Sequence, residues 1–147
     1  MAGNAHFDLE NFVPYTVSTL SRQFASLLED ALKKQNLTLS NWRVLLCLTH
    51  YEKRTLNQIV DYTLLPQSTL SRALARMEER GLISRNKNDH DQRNYDIEIT
   101  ELGRDTITKS FKPVLSACAE PLSFLDENEK KAWMMTTKKI IAHLESL

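Results

Sequence analysis

Residues Leu65 to Thr100 read LPQSTLSRALARMEERGLISRNKNDHDQRNYDIEIT, and this stretch decides the fold of the chain. On a helical wheel of about 100° per residue, the segment from Gln67 to Arg80 has one apolar side, formed by Leu70, Ala73, Leu74 and Met77. Small hydroxyl residues and arginines occupy the opposite side. Gly81 is suited to the C-terminal end of a helix because glycine adopts a left-handed conformation freely. The pattern therefore predicts a short amphipathic helix that ends before Gly81.

A β-hairpin is predicted directly after this helix. Leu82 to Asn86 and Asn94 to Ile99 are expected to be strands, the second with alternating apolar and polar residues. The connecting loop contains no apolar residue to bury, so we expect it to project into solvent. Asp91 can hold Arg93 through a charge-assisted bond and extend a guanidinium suited to a narrow minor groove. A plain solvated loop is the alternative for Lys87 to His90.

A helix with small residues and cations on its outer face can enter the major groove of DNA. Arginine can bridge two acceptors of guanine or clamp a phosphate, and hydroxyls donate to phosphates. The helix N-terminus also favours a phosphate. The alternative is a solvated helix whose arginines pair with Glu78 and Glu79. The candidate DNA-contacting residues of the helix and hairpin are Gln67, Ser68, Thr69, Ser71, Arg72, Arg76, Arg85, Lys87, Asp91 and Arg93.

The flanking segments predict further short helices. Thr38 can cap one helix, and Thr55 with Gln58 forms a capping-box pattern before the next. Pro66 suits the first position of the amphipathic helix, where its missing N–H costs nothing, and Thr100 can cap a helix after the hairpin. Short helices followed by a hairpin make a winged helix-turn-helix. The chain has no glycine-rich phosphate loop and no alternation of strands with helices, which excludes a nucleotide-binding α/β fold.

Both ends of the chain predict long helices with a coiled-coil-like seam. The first is expected from Leu9 to Lys34 and the last from Asp126, which forms a start signal with Glu129. Two such helices are expected to pair, within one subunit or between two. Pro113 is expected to kink or break the helix before the last one, and Pro121 to end it. The seam residues are Val13, Val17, Leu20, Phe24, Leu27 and Ala31 in the first helix, and Trp133, Thr137, Ile140, Leu144 and Leu147 in the last.

Composition predicts one mainly α-helical domain with a small β-hairpin wing (α+β). The chain has 147 residues, 41% of them hydrophobic, with 3 Gly and 4 Pro. It shows no signal peptide and no apolar run long enough for a membrane span, so we expect a soluble, cytoplasmic protein without a membrane partner. The formal net charge is +0, so nucleic-acid binding would depend on specific contacts more than on bulk attraction.

No catalytic or metal-binding pattern stands out. The sequence offers no convincing pair of catalytic carboxylates, nucleophile with its base or metal-ligand spacing, which predicts a non-enzyme without cofactors. The four histidines are scattered, at His6, His50, His90 and His143. Cys47 and Cys118 lie in apolar helical stretches, where buried reduced thiols are expected and a redox pair is the alternative.

Five segments of the chain resemble regulators of the multiple-antibiotic-resistance (MarR) family. Thr38 to Leu45 resembles the start of the family's second helix, and Ser68 to Arg72 its recognition helix. Glu79 to Arg85 resembles the junction into the wing. Asp91 to Arg93 resembles the wing tip, and Ile97 to Gly103 the exit from the wing. The resemblance covers nearly all of the chain, and the pattern from wing to exit is the specific part.

The resemblance implies a homodimer that binds a double-stranded, pseudo-palindromic operator, usually as a repressor released by a ligand or by oxidation. It implies a dimerisation region of residues 1–36 and 104–147 and a DNA-binding domain of residues 37–103. The wing match carries over Asp91 and Arg93 as minor-groove contacts. Gln92 departs from the family, which often has a second basic residue there, and so does Pro113. The recognition-helix match carries over Ser68, Ser71, Arg72 and Arg76 as groove or phosphate contacts.

The family also implies an effector, for which two hypotheses arise. Relatives often hold small aromatic acids between the dimer helices and the winged helix, and Arg22 could clamp a carboxylate or form a salt bridge. Thiol oxidation is the rival, although no cysteine precedes Cys47; Arg43 and His50 could lower the pKa of an exposed Cys47 thiol. A winged helix used only for protein contacts is a further alternative. The candidate pocket residues are Tyr15, Arg22, Leu39, Trp42, Phe111 and Val114.

Overall fold

The computed structural model describes residues 8–87 and 95–147 and contains six α-helices and three strands there. Asp91, Gln92 and Arg93 of the predicted wing tip, together with His6 and His90, lie outside the described residues. In chain order the elements are α1 Val13–Lys33, α2 Leu39–Tyr51, β1 Lys53–Thr55, α3 Leu56–Thr63, α4 Gln67–Glu79, β2 Ile83–Lys87, β3 Tyr95–Ile99, α5 Glu101–Ala119, a 3-10 turn Glu120–Leu122 and α6 Glu127–Glu145. The predicted class, mainly α with a small β wing, is confirmed.

Four helices begin at the capping residues that the sequence predicts. Each cap accepts a hydrogen bond from a backbone N–H of the first turn, which would otherwise have no partner. The caps of α3 and α6 are full capping boxes, with the return bond to the backbone of the cap also present. The bonds run from Asn41 N to Thr38, from Gln58 N to Thr55, from Gly103 N to Thr100 and from Glu129 N to Asp126.

Two predicted helix starts are wrong, and both lie next to a proline: α1 starts four residues later than predicted and α4 one residue later. Helix α1 begins at Val13 and not at Leu9, because Pro14 fits only the first turn and would clash with a helix extended towards the N-terminus. Pro66 precedes α4 as its N-cap with ψ 138°, so it lies outside the helix that it was expected to open. The predicted helix end before Gly81, which has φ +70°, is confirmed.

Helix α5 corrects a further expectation, since it continues through Pro113 to Ala119 without a break. Proline removes one backbone hydrogen bond, but packing on both sides of it holds the helix: Ser110 and Val114 are both buried. The helix stops shortly before Pro121, as predicted, and passes into the 3-10 turn. Inside residues 8–87 and 95–147, no helix combines the length and apolar character that crossing a membrane requires.

The sheet has three antiparallel strands in the order β1-β3-β2. The predicted hairpin of β2 and β3 is confirmed, with Ile83 opposite Ile99 and Lys87 opposite Tyr95. Strand β1 was missed, because three residues are too few to show an alternating pattern. It pairs along β3, with Arg54 opposite Ile97, and ties the hairpin to the helices.

The hydrophobic core lies between α2, α4 and the inner face of the sheet. Leu45 and Leu48 of α2 are fully buried there, as are Leu70 and Met77 of α4. The sheet adds Ile97 and Ile99, and α5 adds Ile107 and Val114. Trp42 joins α2 to α5 by donating from Nε1 to Ser110 Oγ at 2.9 Å. This core sets the position of α4, since one whole side of that helix belongs to it.

One threonine and two glycines hold the end of α4 and the start of α5 close to the sheet. Gly81 turns the chain out of α4, and Thr100 Oγ1 donates to the Gly81 carbonyl at 2.6 Å. Helix α5 then approaches the backbone closely at Gly103, where an added Cβ would lie 2.2 Å from the Leu82 carbonyl oxygen and 2.8 Å from Ile99 Cγ1. Only glycine fits this contact.

We therefore expect Gly103→Ala to lower the free energy of unfolding by about 1–3 kcal/mol, the usual cost of overpacking. The added methyl would push α5 away from the sheet. Urea unfolding followed by circular dichroism measures the change, and Arg104→Ala, at an exposed position one residue further, should stay within about 0.5 kcal/mol of the parent. Equal stability of Gly103→Ala and the parent would contradict this packing.

Candidate nucleic-acid interface

Helix α4 has one buried and one exposed side, as the wheel predicts. Leu70, Ala73, Leu74 and Met77 are buried in the core. The opposite side is exposed, and its side chains are small at the start of the helix and long and cationic further along. We call this exposed set the recognition face; it consists of Gln67, Ser68, Thr69, Ser71, Arg72 and Arg76.

The arginines of the recognition face have no acidic partner among the described residues. Neither Arg72 nor Arg76 forms an ion pair with any residue in 8–87 or 95–147. The alternative in which these arginines pair with Glu78 and Glu79 is therefore not what the structure shows. Two uncompensated guanidinium groups on an exposed helix can bind phosphates or guanine acceptors.

Arg85 has an intramolecular partner that the sequence did not predict. Its Nε lies 3.1 Å from Glu78 Oε2, joining β2 to the end of α4. The contact is an ion pair without hydrogen-bond alignment, and Nε and Nη2 are buried with no hydrogen-bond partner. The pair connects the end of α4 to the first strand of the hairpin. Its role as a DNA contact stays a prediction, as does that of Lys87, which is exposed at the end of β2.

Strand β1 supports the base of the wing. Lys53 Nζ lies 3.5 Å from Asp96 Oδ2 on β3. The Arg54 guanidinium carbon lies 3.8 Å from the centre of the Tyr51 ring, a cation–π contact that closes the turn between α2 and β1. The base of the wing therefore belongs to a three-stranded sheet, because β1 pairs with β3.

The six candidate pocket residues do not share one environment. Leu39, Trp42, Phe111 and Val114 all pack in or against the hydrophobic core. Tyr15 and Arg22 are exposed on α1. A common pocket for all six thus stays a prediction.

Both cysteines are free thiols. Burial raises the pKa of Cys47, with the nearby Arg54 acting in the opposite direction, and burial also raises the pKa of Cys118. A raised pKa keeps a thiol protonated and unreactive at neutral pH. In the described ranges, His, Cys, Asp and Glu side chains form no group of three that could hold a metal ion.

The geometry defines a winged helix-turn-helix protein: α3 and α4 form the helix-turn-helix and the β2–β3 hairpin forms the base of the wing.

The MarR family model matches residues 35–94. A relative, the organic hydroperoxide resistance transcriptional regulator of Bacillus subtilis (strain 168), is 33% identical over 98 residues, 67% of each chain. The transcriptional repressor IacR of Pseudomonas putida is 27% identical over 128 residues, 80% of this chain and 77% of its own. The chain belongs to the MarR family, and it is a DNA-binding transcriptional regulator.

Solved structures share the fold at low sequence identity. A mutant MarR from E. coli complexed with operator DNA superposes with a TM-score of 0.80 at 19% identity, covering 87% of this chain and 92% of its own. BpsR of Bordetella bronchiseptica also gives 0.80, at 18% identity, covering 87% and 97%. Both matches extend over 87% of the chain and so show the shared fold beyond the winged domain.

We expect the two thiols to react at different rates with DTNB at pH 7.4. Cys118 is only half-buried and should react first, whereas fully buried Cys47 should react only as the protein unfolds. Absorbance at 412 nm follows the released product, and Cys118→Ser should remove the faster phase. Rapid labelling of Cys47 in folded protein would show instead that this thiol reaches solvent.

Proposed function

We propose that this regulator is a homodimeric repressor of a pseudo-palindromic operator. Each subunit places α4 in the major groove and its wing in the adjacent minor groove. The observation that carries the proposal is the recognition face, an exposed row on a helix whose other side is buried in the core; its Arg72 and Arg76 form no ion pair within the part of the chain that the structure describes. Within this proposal, Ser68, Ser71 and the two arginines contact bases or phosphates. Asp91 and Arg93 act at the wing tip.

The ends of the chain support the dimer. No residue of α6 is buried, yet Ile140 is 53% exposed and Leu144 62%. Val13 on α1 is 67% exposed. Two seam residues, Phe24 and Trp133, stack their rings at 6.3 Å and join the two helices, whereas other apolar seam residues stay exposed. A second copy would cover them, because exposed apolar patches of this kind mark association surfaces. Residues 1–36 and 104–147 then form the dimerisation region around the DNA-binding domain of residues 37–103.

We propose a small aromatic acid as the effector, with Arg22 binding its carboxylate. BpsR supports this chemical class, since its DNA binding is regulated by 6-hydroxynicotinic acid. Thiol oxidation is the rival, and the name of the Bacillus relative refers to organic hydroperoxide. The buried, protonated state of Cys47 argues against oxidation in this chain.

DNA recognition is tested with a duplex selected from a randomised library by the wild-type protein. We expect Arg72→Ala to weaken binding by about 1–3 kcal/mol and to relax preference at one base position, because a bidentate base contact is lost. Arg93→Ala should weaken binding by a similar amount. Fluorescence anisotropy against selected and scrambled duplexes measures both, with Lys139→Ala on α6 as the charge-matched control. Unchanged affinity in both arginine variants would dismiss this interface.

The dimer is tested by charging its seam. Ile140→Glu should shift the protein to monomer at micromolar concentration, because an unpaired carboxylate would be buried between the subunits. Sedimentation velocity gives the mass, and Lys139→Glu, which adds the same residue type beside the seam, should leave the dimer intact. A wild-type protein that sediments as a monomer would overturn the homodimer.

A further inference from the structure

A polar concavity of about 300 Å³ lies between the start of α2 and the recognition face of α4. It is separate from the aromatic-acid candidates on α1 and α5. Six of its lining residues matter here: Thr38, Ser40, Asn41, Thr69, Arg72 and Arg76. Three of these, at the start of α2, were not among the DNA contacts predicted from the sequence.

The charge of the concavity is entirely positive. Its lining contains two arginines and no carboxylate, and neither arginine has an ion-pair partner in the described part of the chain. The N-terminus of the 13-residue helix α2 also borders it. The N–H groups of Asn41 and Trp42 bond to Thr38, at 3.1 Å to its hydroxyl and 3.0 Å to its carbonyl. Those of Leu39 and Ser40 have no acceptor within residues 8–87 and 95–147, so the site favours an anion.

Asn41 supplies an independent indication of a ligand. The residue is only 7% exposed, and it lines the concavity. Its side-chain amide makes no hydrogen bond to any residue in the described ranges, and it is not among the fully buried polar atoms, so it is open to the concavity. An amide that faces the concavity without a partner from the described chain is available to a ligand there. The amide N–H₂ can donate two hydrogen bonds into the concavity.

We propose that this concavity binds one backbone phosphate of DNA, flanking the bases that α4 contacts. The donors are hydroxyls, an amide, the guanidinium of Arg76 and backbone N–H groups, which suit a tetrahedral oxyanion, and Arg72 beside them is left to contact a base. No aromatic ring lines the site, which disfavours an aromatic acid there. The inference rests on the proposed placement of α4 in the major groove, and it makes α2 a second DNA-contacting element. Because a phosphate has no sequence information, this contact fixes register and not base preference.

The decisive variant is Asn41→Leu, which keeps the branched shape of the side chain and removes its hydrogen-bonding groups. The binding site predicts that affinity falls for every duplex by roughly fivefold, whereas stability against urea stays close to that of the parent, because the amide makes no hydrogen bond within the described chain. If Asn41 had a purely structural role, replacing it would not weaken DNA binding while leaving the stability of the protein unchanged. Asn128→Leu, at the exposed start of α6, is the matched control and should leave DNA affinity unchanged.

The phosphate itself is identified by neutral methylphosphonate linkages, placed one at a time along the selected duplex. We expect one linkage in each half-site to weaken the wild-type protein roughly tenfold and to have little further effect on Asn41→Leu. Such coupling shows that Asn41 and that phosphate contact each other. Additive effects at every linkage would overturn the proposal.

Two further experiments distinguish the proposed DNA phosphate contact from binding of a free phosphate and from failure of the proposed function. Isothermal titration with inorganic phosphate, without DNA, tests a free anion: binding that Asn41→Leu abolishes, with no coupled linkage in the duplex, would assign the site to a free phosphate and overturn the DNA contact. Failure of the wild-type protein to prefer its selected duplex over scrambled DNA would overturn the proposed function together with this inference. Normal selective binding with additive linkage effects would remove the inference alone.

Discussion

The burial of one side of α4 against α2 is the constraint on which the rest of the structure depends. Leu70, Leu74 and Met77 lock the helix in rotation, because turning it would expose these side chains and bury polar ones. The opposite side of α4 faces solvent because the buried side fixes the rotation of the helix. A rigid core on one side thus presents polar groups at defined positions on the other, which is the preorganisation that specific binding requires.

The chain has a formal net charge of +0. The positive charge of the recognition face is therefore a local property of that surface. The ion pair of Glu78 with Arg85 joins α4 to β2. Arg72 and Arg76 have no ion-pair partner within residues 8–87 and 95–147. A chain without excess positive charge has weak attraction for DNA in general, and contacts with bases and individual phosphates then decide where it binds.

The terminal helices α1 and α6 carry a second set of apolar side chains, and a single copy of the chain leaves many of them exposed. Helix α6 has no buried residue and touches α1 through the stacked rings of Phe24 and Trp133, while apolar side chains of both helices face outward. A single copy leaves this surface in contact with water, at a cost that a symmetrical partner would remove. Helix α5 connects this region to the DNA-binding domain, because its start lies against the sheet in the tight contact at Gly103.

The sequence by itself determined the helix caps, the end of α4 at Gly81, the hairpin and the two sides of α4, because each of these depends on neighbours within a few residues. It also predicted seams at both ends of the chain. Only the tertiary structure decided which charges stay free, that β1 joins the wing, that α5 passes through Pro113, and that Asn41 faces the concavity beside Arg72. These features depend on contacts between segments far apart in the chain, which periodicity and capping rules do not encode.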